Sequence, residues 1–164
     1  MTRRIELRGK HGKGFFAIVD DEDYEWLSQY KWYGKKSKNG KLYACTPIQK
    51  TIICMHSMIL AVPKGLTGDH KNNDGLDNTR NNLRIATVSQ NNANKKTSTS
   101  PSKTSVYKGV HKRNKASSFW IAKLTVNMKT IYIGSFATED EAGKAYDKAA
   151  TPYFGEFAYL NFPK

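Results

Sequence analysis

The stretch Gly68–Asn92 constrains this chain more than any other, because metal-holding, proton-accepting and turn-forming groups are concentrated in it. Asp74-Gly75 and Asp77-Asn78 are turn-forming pairs. Leu83 to Ala86 is a short apolar run fit for a strand. Thr87 followed by Gln90 is a capping box that opens a helix. The expected order is strand end, loop, short strand, helix. Asp69-His70 stands at one end and Asn91 lies in the first helical turns at the other. That order carries a carboxylate, an imidazole and amide oxygens toward one point.

Taken alone, Asp69-His70 reads first as part of a polar turn with a surface histidine. The ordered pattern says more. Asp-His is followed by Asn82-Leu83-Arg84, whose Asn comes twelve residues after His70, and by Asn91 nine residues further on. This resembles the HNH nucleases, and most of all their phage and intron-homing branch, where Asn stands in for the last His. The resemblance implies a ββα-metal motif with His70 as general base and Asn82 orienting it. Asp69 and Asn91 then hold one divalent cation. The departure is Asn91, a neutral amide, and Asn92 and Asn94 stand beside it as alternative ligands.

The implied roles agree with the chemistry of phosphodiester hydrolysis. An imidazole with an ordinary pKa near ~6.5 can take a proton from water at neutral pH. A hard cation, Mg²⁺ or Mn²⁺, prefers oxygen ligands and leaves most positions to water and phosphate.

The bulk numbers point to a polyanionic partner. Across 164 residues, 27 Lys and Arg stand against 14 Asp and Glu, a net charge of +13. No apolar run approaches the ~20 residues of a membrane span, and the N-terminus does not read as a signal peptide. Nucleic acid is therefore the expected partner, with no membrane and no small-molecule substrate. The expected location is the cytoplasm, that of the host cell if the gene is phage-borne. Cys45 and Cys54 lack the spacing of a zinc site and are expected to be reduced thiols.

Residues 1 to about 55 read as β-rich. Phe15–Val19 is a strand running into Asp20-Asp21-Glu22-Asp23, which opens a helical stretch with Tyr24, Leu27 and Tyr30 on one face. Those acids are expected to serve capping and the helix dipole. Lys31-Trp32-Tyr33 and Lys41–Ala44 flank Asn39-Gly40, a hairpin turn signal, with Lys35, Lys36, Lys38 and Lys41 around it. Thr51–Met55 reads as another strand and His56–Ala61 as a short buried helix before Pro63. His56, between apolar neighbours, reads as a packed histidine with a supporting role near the site as its alternative.

After Asn94 the composition changes. Residues 95–105 are rich in Ser, Thr and Lys, carry nothing able to seed a core, and read as a flexible basic linker. Strands are expected over Val106–Val110, Trp120–Val126 and Thr130–Phe136. The capping box Thr138…Glu141 then opens a helix to about Ala150 that buries Ala142, Ala145, Tyr146 and Ala149. Strand alternation puts Ala122, Leu124 and Val126 toward that helix and Lys123 and Thr125 away from it. From Lys103 to Phe136 there are seven Lys and Arg, Lys115 among them, and no acid. All five acids of the module fall between Glu139 and Glu156. A basic sheet backed by an acidic helix presents the sheet to the polyanion.

This second stretch resembles the apetala-type (ethylene-response-factor) DNA-binding domain. The residues that carry the resemblance are Tyr107–Val110, Trp120–Ala122, Tyr132–Phe136, Glu141-Ala142, Ala145–Ala150 and Leu160–Pro163. It implies reading of the duplex major groove through Lys108, His111, Arg113, Lys123, Thr125, Thr130 and Tyr132, with Trp120 as core support or contact.

The expected fold class is α+β. A β-rich leader and a ββα-metal motif occupy residues 1–94, a linker 95–105, and a three-stranded antiparallel sheet packed on one helix 106–164. The expected function is a homing-type endonuclease that cuts double-stranded DNA with one Mg²⁺ or Mn²⁺. By resemblance it leaves a 3′-hydroxyl and a 5′-phosphate and needs no oligomer. A non-catalytic DNA-binding regulator with a decayed core is the alternative.

Overall fold

The structure is a computed structural model and describes residues 1–97, 103–114 and 118–163. Its contacts divide into two compact units, Met1–Val88 and Ser89–Lys164. Residues 98–102 of the expected linker, and Lys115, lie outside the described residues.

The first unit opens on a hairpin that the sequence reading caught only in its second half. Strand β1 (Thr2–Glu6) pairs antiparallel with β2 (Phe16–Asp20), from Thr2↔Asp20 to Glu6↔Phe16. Alternation buries Ile5 from one strand and Ala17 and Val19 from the other. Helix α1 (Asp21–Leu27) follows at once. Its acids do more than match the dipole, because the side chain of Asp20, at the N-cap, caps nothing. Asp20 Oδ2 accepts from the backbone N–H of Arg80 at 2.7 Å, and Asp23, 1% exposed, receives the Arg80 guanidinium at 2.7 and 2.8 Å. Tyr30 falls beyond the helix and is exposed.

Strands β3 (Tyr33–Lys36), β4 (Leu42–Ile48) and β5 (Thr51–Cys54) form an antiparallel sheet in the order β3-β4-β5. The expected Asn39-Gly40 turn closes β3 onto β4, with Gly40 N–H donating to Ser37 O at 3.0 Å. The cysteines are not the reduced thiols that their spacing suggests. Cys45 and Cys54 lie directly opposite each other on β4 and β5 and are joined as a disulfide. Their spacing of nine residues conceals a pairing that strand register creates.

Helix α2 (Met55–Ile59) is followed by β6 (Thr67–His70) and β7 (Leu83–Ala86), which pair antiparallel from Thr67↔Ala86 to His70↔Leu83. The core gathers Leu7, Val19, Leu27, Trp32, Met55, Ile59 and Leu83. Trp32 satisfies its indole N–H on Leu27 O at 2.8 Å, so burying the ring leaves no orphan donor. Each such large side chain contributes roughly 1.5–3 kcal/mol by leaving water.

Helix α3 (Val88–Asn94) straddles the division between the units. Ala93 belongs to the core of the second unit, with Leu124, Tyr146, Ala150 and Phe154, and its carbonyl accepts from Tyr159 N–H at 3.1 Å. The contacts therefore part at Val88, whereas the composition changes after Asn94.

In the second unit β8 (Val110–Lys112), β9 (Trp120–Val126) and β10 (Lys129–Phe136) form an antiparallel sheet in the order β10-β9-β8. The first of these strands starts later than expected, at Val110. Helix α4 (Glu139–Phe154) carries the expected capping box: Glu141 N–H donates to Thr138 Oγ1, and Thr138 N–H to Glu141 Oε2, each at 3.2 Å. It runs one turn past the expected end. Its buried stripe is Ala142, Gly143, Tyr146, Ala150 and Phe154, with Ala145 and Ala149 only half-buried. Ala122 and Leu124 are fully buried and Val126 packs against the same core, as alternation requires. The architecture is thus mixed helix and sheet, with small antiparallel sheets and, among the described residues, four α-helices.

Candidate functional site

The end of β6 delivers Asp69 and His70 to the inside of the first unit, where they are 4% and 6% exposed. Pairing with β7 sets Asp69 directly opposite Arg84. Arg84 Nε donates to Asp69 Oδ2 at 2.9 Å, and both side chains are buried to 10% exposure or less. Asp69 is thereby a buried carboxylate with its charge balanced.

The loop between β6 and β7 is braced by its own amides and carboxylates. Asn82 accepts from Asn72 N–H at 3.0 Å through Oδ1 and donates to Asp77 O at 2.7 Å through Nδ2. Asn82 therefore ties the two ends of the loop. The amide beside the imidazole is Asn78, fully buried, with Oδ1 3.4 Å from His70 Nε2. Asn78 Nδ2 donates to Leu76 O at 3.1 Å, which turns its Oδ1 toward the ring. His70 then donates from Nε2, and its basic lone pair is on Nδ1. The backbone of Asn78 is pinned by donation to Ile18 O at 2.7 Å, while Ile18 N–H donates to Leu76 O at 2.8 Å.

Two further rings enclose His70. The His56 ring meets it edge-on, with centroids 4.8 Å apart, and the Tyr43 ring lies 5.8 Å from both imidazoles. His56 reaches this position because residue 68 is glycine: a Cβ there would stand 2.6 Å from His56 Cδ2. Burial lowers the pKa of His70 below its ordinary value, against the pull of Asn78 and of Asp69, Asp74 and Asp77. Burial, and then the neighbouring His70, push His56 down to about 3. Burial and the Asp69 charge raise Tyr43. Both imidazoles are thus neutral at neutral pH, the form a general base requires.

A consequence for stability follows from His56. The folded chain keeps it neutral down to about pH 3, while the unfolded chain protonates it near its ordinary 6.5. The unfolded state binds more protons between those values, so stability falls as pH drops through 6.5. The expected loss is about 1.4 kcal/mol for each pH unit below that point. Urea unfolding at about pH 7.5 and about pH 5.5 measures it, with His56→Gln as the non-titrating control. An equal acid loss in His56→Gln removes His56 as its source.

The donors present suit a hard cation. Asp69 supplies a carboxylate, while Cys45 and Cys54 are joined in the disulfide and offer no thiolate. Asn91 lies on α3, in the second unit, and is half-buried; Asn92 is exposed and Asn94 buried. Asp20, Glu22 and Asp23 also bring ligand atoms within 4.8 Å of one another. Arg80 bonds all three, its backbone N–H to Asp20 and its guanidinium to Glu22 and Asp23, and offsets one of their three charges.

On the second unit the residues expected to meet DNA fall into two groups. Lys123, Thr125, Thr130 and Tyr132 are exposed on the sheet face away from α4. There Tyr132 stands opposite Lys123 and Thr130 opposite Thr125. His111 joins that face opposite Ile121, half-buried, its pKa lowered by burial and then by Lys123. Arg113 is exposed just beyond β8. Lys108 is employed differently, because its Nζ donates to the carbonyls of Asn92, Ala93 and Lys95 at the C-terminus of α3. Its pKa falls to about 8 through burial and the nearby Lys95 and Lys103. Trp120 supports the core formed by Val110, Ala122 and Ala142.

Sequence reasoning did not single out Asn78, Tyr43 or the partner role of Arg84. Arg84 stood within the quoted Asn-Leu-Arg, but only strand register gives it a carboxylate. Asn78 read as half of a turn pair.

No family model matches the chain. It is 34% identical over 152 residues to an uncharacterised HNH endonuclease of Acanthamoeba polyphaga mimivirus, covering 92% of this chain and 76% of that protein. It is also 42% identical over 59 residues to a dehydration-responsive element-binding protein of Oryza sativa subsp. japonica. A match to an AP2-like ethylene-responsive transcription factor of Arabidopsis thaliana is 40% identical over 60 residues. Each plant match covers 35% of this chain and less than a fifth of the plant protein. Similarity that runs along nearly the whole chain places this protein in the HNH endonuclease family.

Proposed function

We propose that this protein is a homing-type endonuclease that hydrolyses phosphodiester bonds in double-stranded DNA with one divalent cation, Mg²⁺ or Mn²⁺. The observation that carries the reading is the buried, neutral His70 beside Asp69, with its tautomer directed by Asn78. His70 takes a proton from the attacking water at Nδ1. Asn78 accepts from Nε2–H and holds the ring in that tautomer, and Asn82 keeps the loop that presents Asn78. His56 and Tyr43 pack the ring in place and keep bulk water from it. Asp69 is the protein's carboxylate ligand. The cation supplies charge stabilisation for the phosphate. Arg84 already balances Asp69, so a bound cation would leave the site positive and matched to a phosphodiester.

The exposed, basic face of the β8–β10 sheet suits the major groove, through His111, Arg113, Lys123, Thr125, Thr130 and Tyr132. The plant relatives share this reading only by similarity over about a third of the chain.

Incubation of supercoiled plasmid and phage genomic DNA with Mg²⁺ or Mn²⁺, beside EDTA, tests the proposal. Nicking or linearisation in metal and none in EDTA is the expected result. Tight duplex binding without cleavage under either metal would make the chain a DNA-binding regulator on a nuclease fold.

A further inference from the structure

The hairpin β1–β2 has one chemistry at each end. At the Thr2↔Asp20 end lie Asp20–Asp23, engaged with Arg3 and Arg80. At the Glu6↔Phe16 end the chain passes through Arg8-Gly9-Lys10-His11-Gly12-Lys13-Gly14. Residues 6–10 and Lys13 line an open concavity of about 560 Å³, with Arg8, Lys10 and Lys13 as its cations and Glu6 as its acid. Among the described residues none of those three cations has an ion-pair partner, whereas Arg3, Arg80 and Arg84 all do. Three exposed cations against one acid leave the hollow net positive and suited to an anion.

The loop is also held in shape. Arg8 bridges to β3, with Arg8 N–H donating to Trp32 O at 2.8 Å and Gly34 N–H to Arg8 O at 3.2 Å. Gly12 packs so closely on this strand that a Cβ would come within 2.8 Å of Gly34 N. The Tyr33 ring lies against Gly9, and alternation puts Lys35 on the face of β3 that Tyr33 occupies. The β2 strand links this loop to the catalytic histidine. Its Ile18 fixes Asn78, the partner of His70, and Phe15 at the base of the loop lies about 10 Å along the chain from Ile18. The loop and the support of His70 thus belong to one hydrogen-bonded strand.

We propose that the β1–β2 loop, through Arg8, Lys10 and Lys13, is a second duplex-DNA backbone site, additional to the sheet of the second unit. It grips phosphates on the same unit as His70 and carries no sequence information. The inference rests on the reading that the chain acts on duplex DNA.

The test uses the full chain and measures duplex affinity against salt for wild type, Arg8→Ala/Lys10→Ala/Lys13→Ala and the milder Lys10→Gln/Lys13→Gln. Each lost phosphate contact lowers the salt slope by about 0.9, so the triple variant is expected to lose about 2 to 3 in slope and the double variant about 2. The loss in affinity is expected to be the same for all duplex sequences, at least about tenfold at low salt for the triple variant. Circular dichroism and thermal melting verify the fold, and the double variant answers if the triple one does not fold. A wild type that binds duplex DNA, with folded variants of unchanged slope, overturns this site and leaves the nuclease reading intact. A wild type that does not bind duplex DNA overturns both.

Discussion

Replacing His70 with alanine is expected to reduce cleavage by about 10²- to 10⁴-fold while duplex binding stays at the wild-type level. The separation of the two effects follows from the charge state. Burial lowers the His70 pKa, so the ring is neutral at working pH and contributes no cation to phosphate affinity. In the proposed mechanism its contribution is made when water gives up a proton, and alanine cannot accept one. Exogenous imidazole should restore part of the rate in His70→Ala, because the cavity left behind fits the missing ring. Asn78→Ala should weaken the rate less and change the pH profile, since it removes the acceptor that directs the tautomer. Cleavage retained in His70→Ala would move the base elsewhere. A variant that neither cleaves nor melts cooperatively would be uninformative by itself, and His70→Gln, closer in volume, then decides the matter.

Asp69→Ala is the second large effect, and it acts on stability and metal binding together. Removing the carboxylate leaves the Arg84 guanidinium buried without the partner that lies 2.9 Å away. Breaking one side of a buried pair costs about 3–5 kcal/mol. Arg84→Ala should cost a similar amount, and the double variant Asp69→Ala/Arg84→Ala should cost less than the sum of the two. Urea unfolding of the four proteins gives the coupling directly. Metal binding separates the roles: Asp69→Ala and the double variant should both lose the Mg²⁺- or Mn²⁺-dependent rise in melting temperature, while Arg84→Ala keeps it. Additive stability losses would show that Asp69 and Arg84 are not coupled. A metal-dependent shift that persists in Asp69→Ala would remove Asp69 from the ligands.

The short-range features were legible because their causes are short-range. Asn39-Gly40 makes a tight turn, Thr138 and Glu141 cap each other, and Ala122, Leu124 and Val126 alternate inward whatever the rest of the chain does. Boundaries drifted where two effects competed. β8 begins at Val110 instead of Val106, and α4 runs to Phe154 despite Pro152, because Phe154 is buried in the core at the helix end.

Legible along the chain were most local elements, the charge division between sheet and helix in the second module, and the pattern Asp69-His70, Asn82-Leu83-Arg84, Asn91 that resembles the HNH nucleases. Tertiary structure alone decided the partners. Arg84 finds Asp69, and Cys45 finds Cys54, because antiparallel register sets them directly opposite; a slip of one residue would turn each side chain to the other face. Asn78 reaches His70 because Ile18, sixty residues earlier in the chain, holds its backbone. Lys108 is drawn from the expected DNA contacts to the end of α3 by three carbonyls that only the folded chain assembles. Periodicity and capping act over a few residues and can be read along the chain, whereas these pairings depend on which strands meet and in what register.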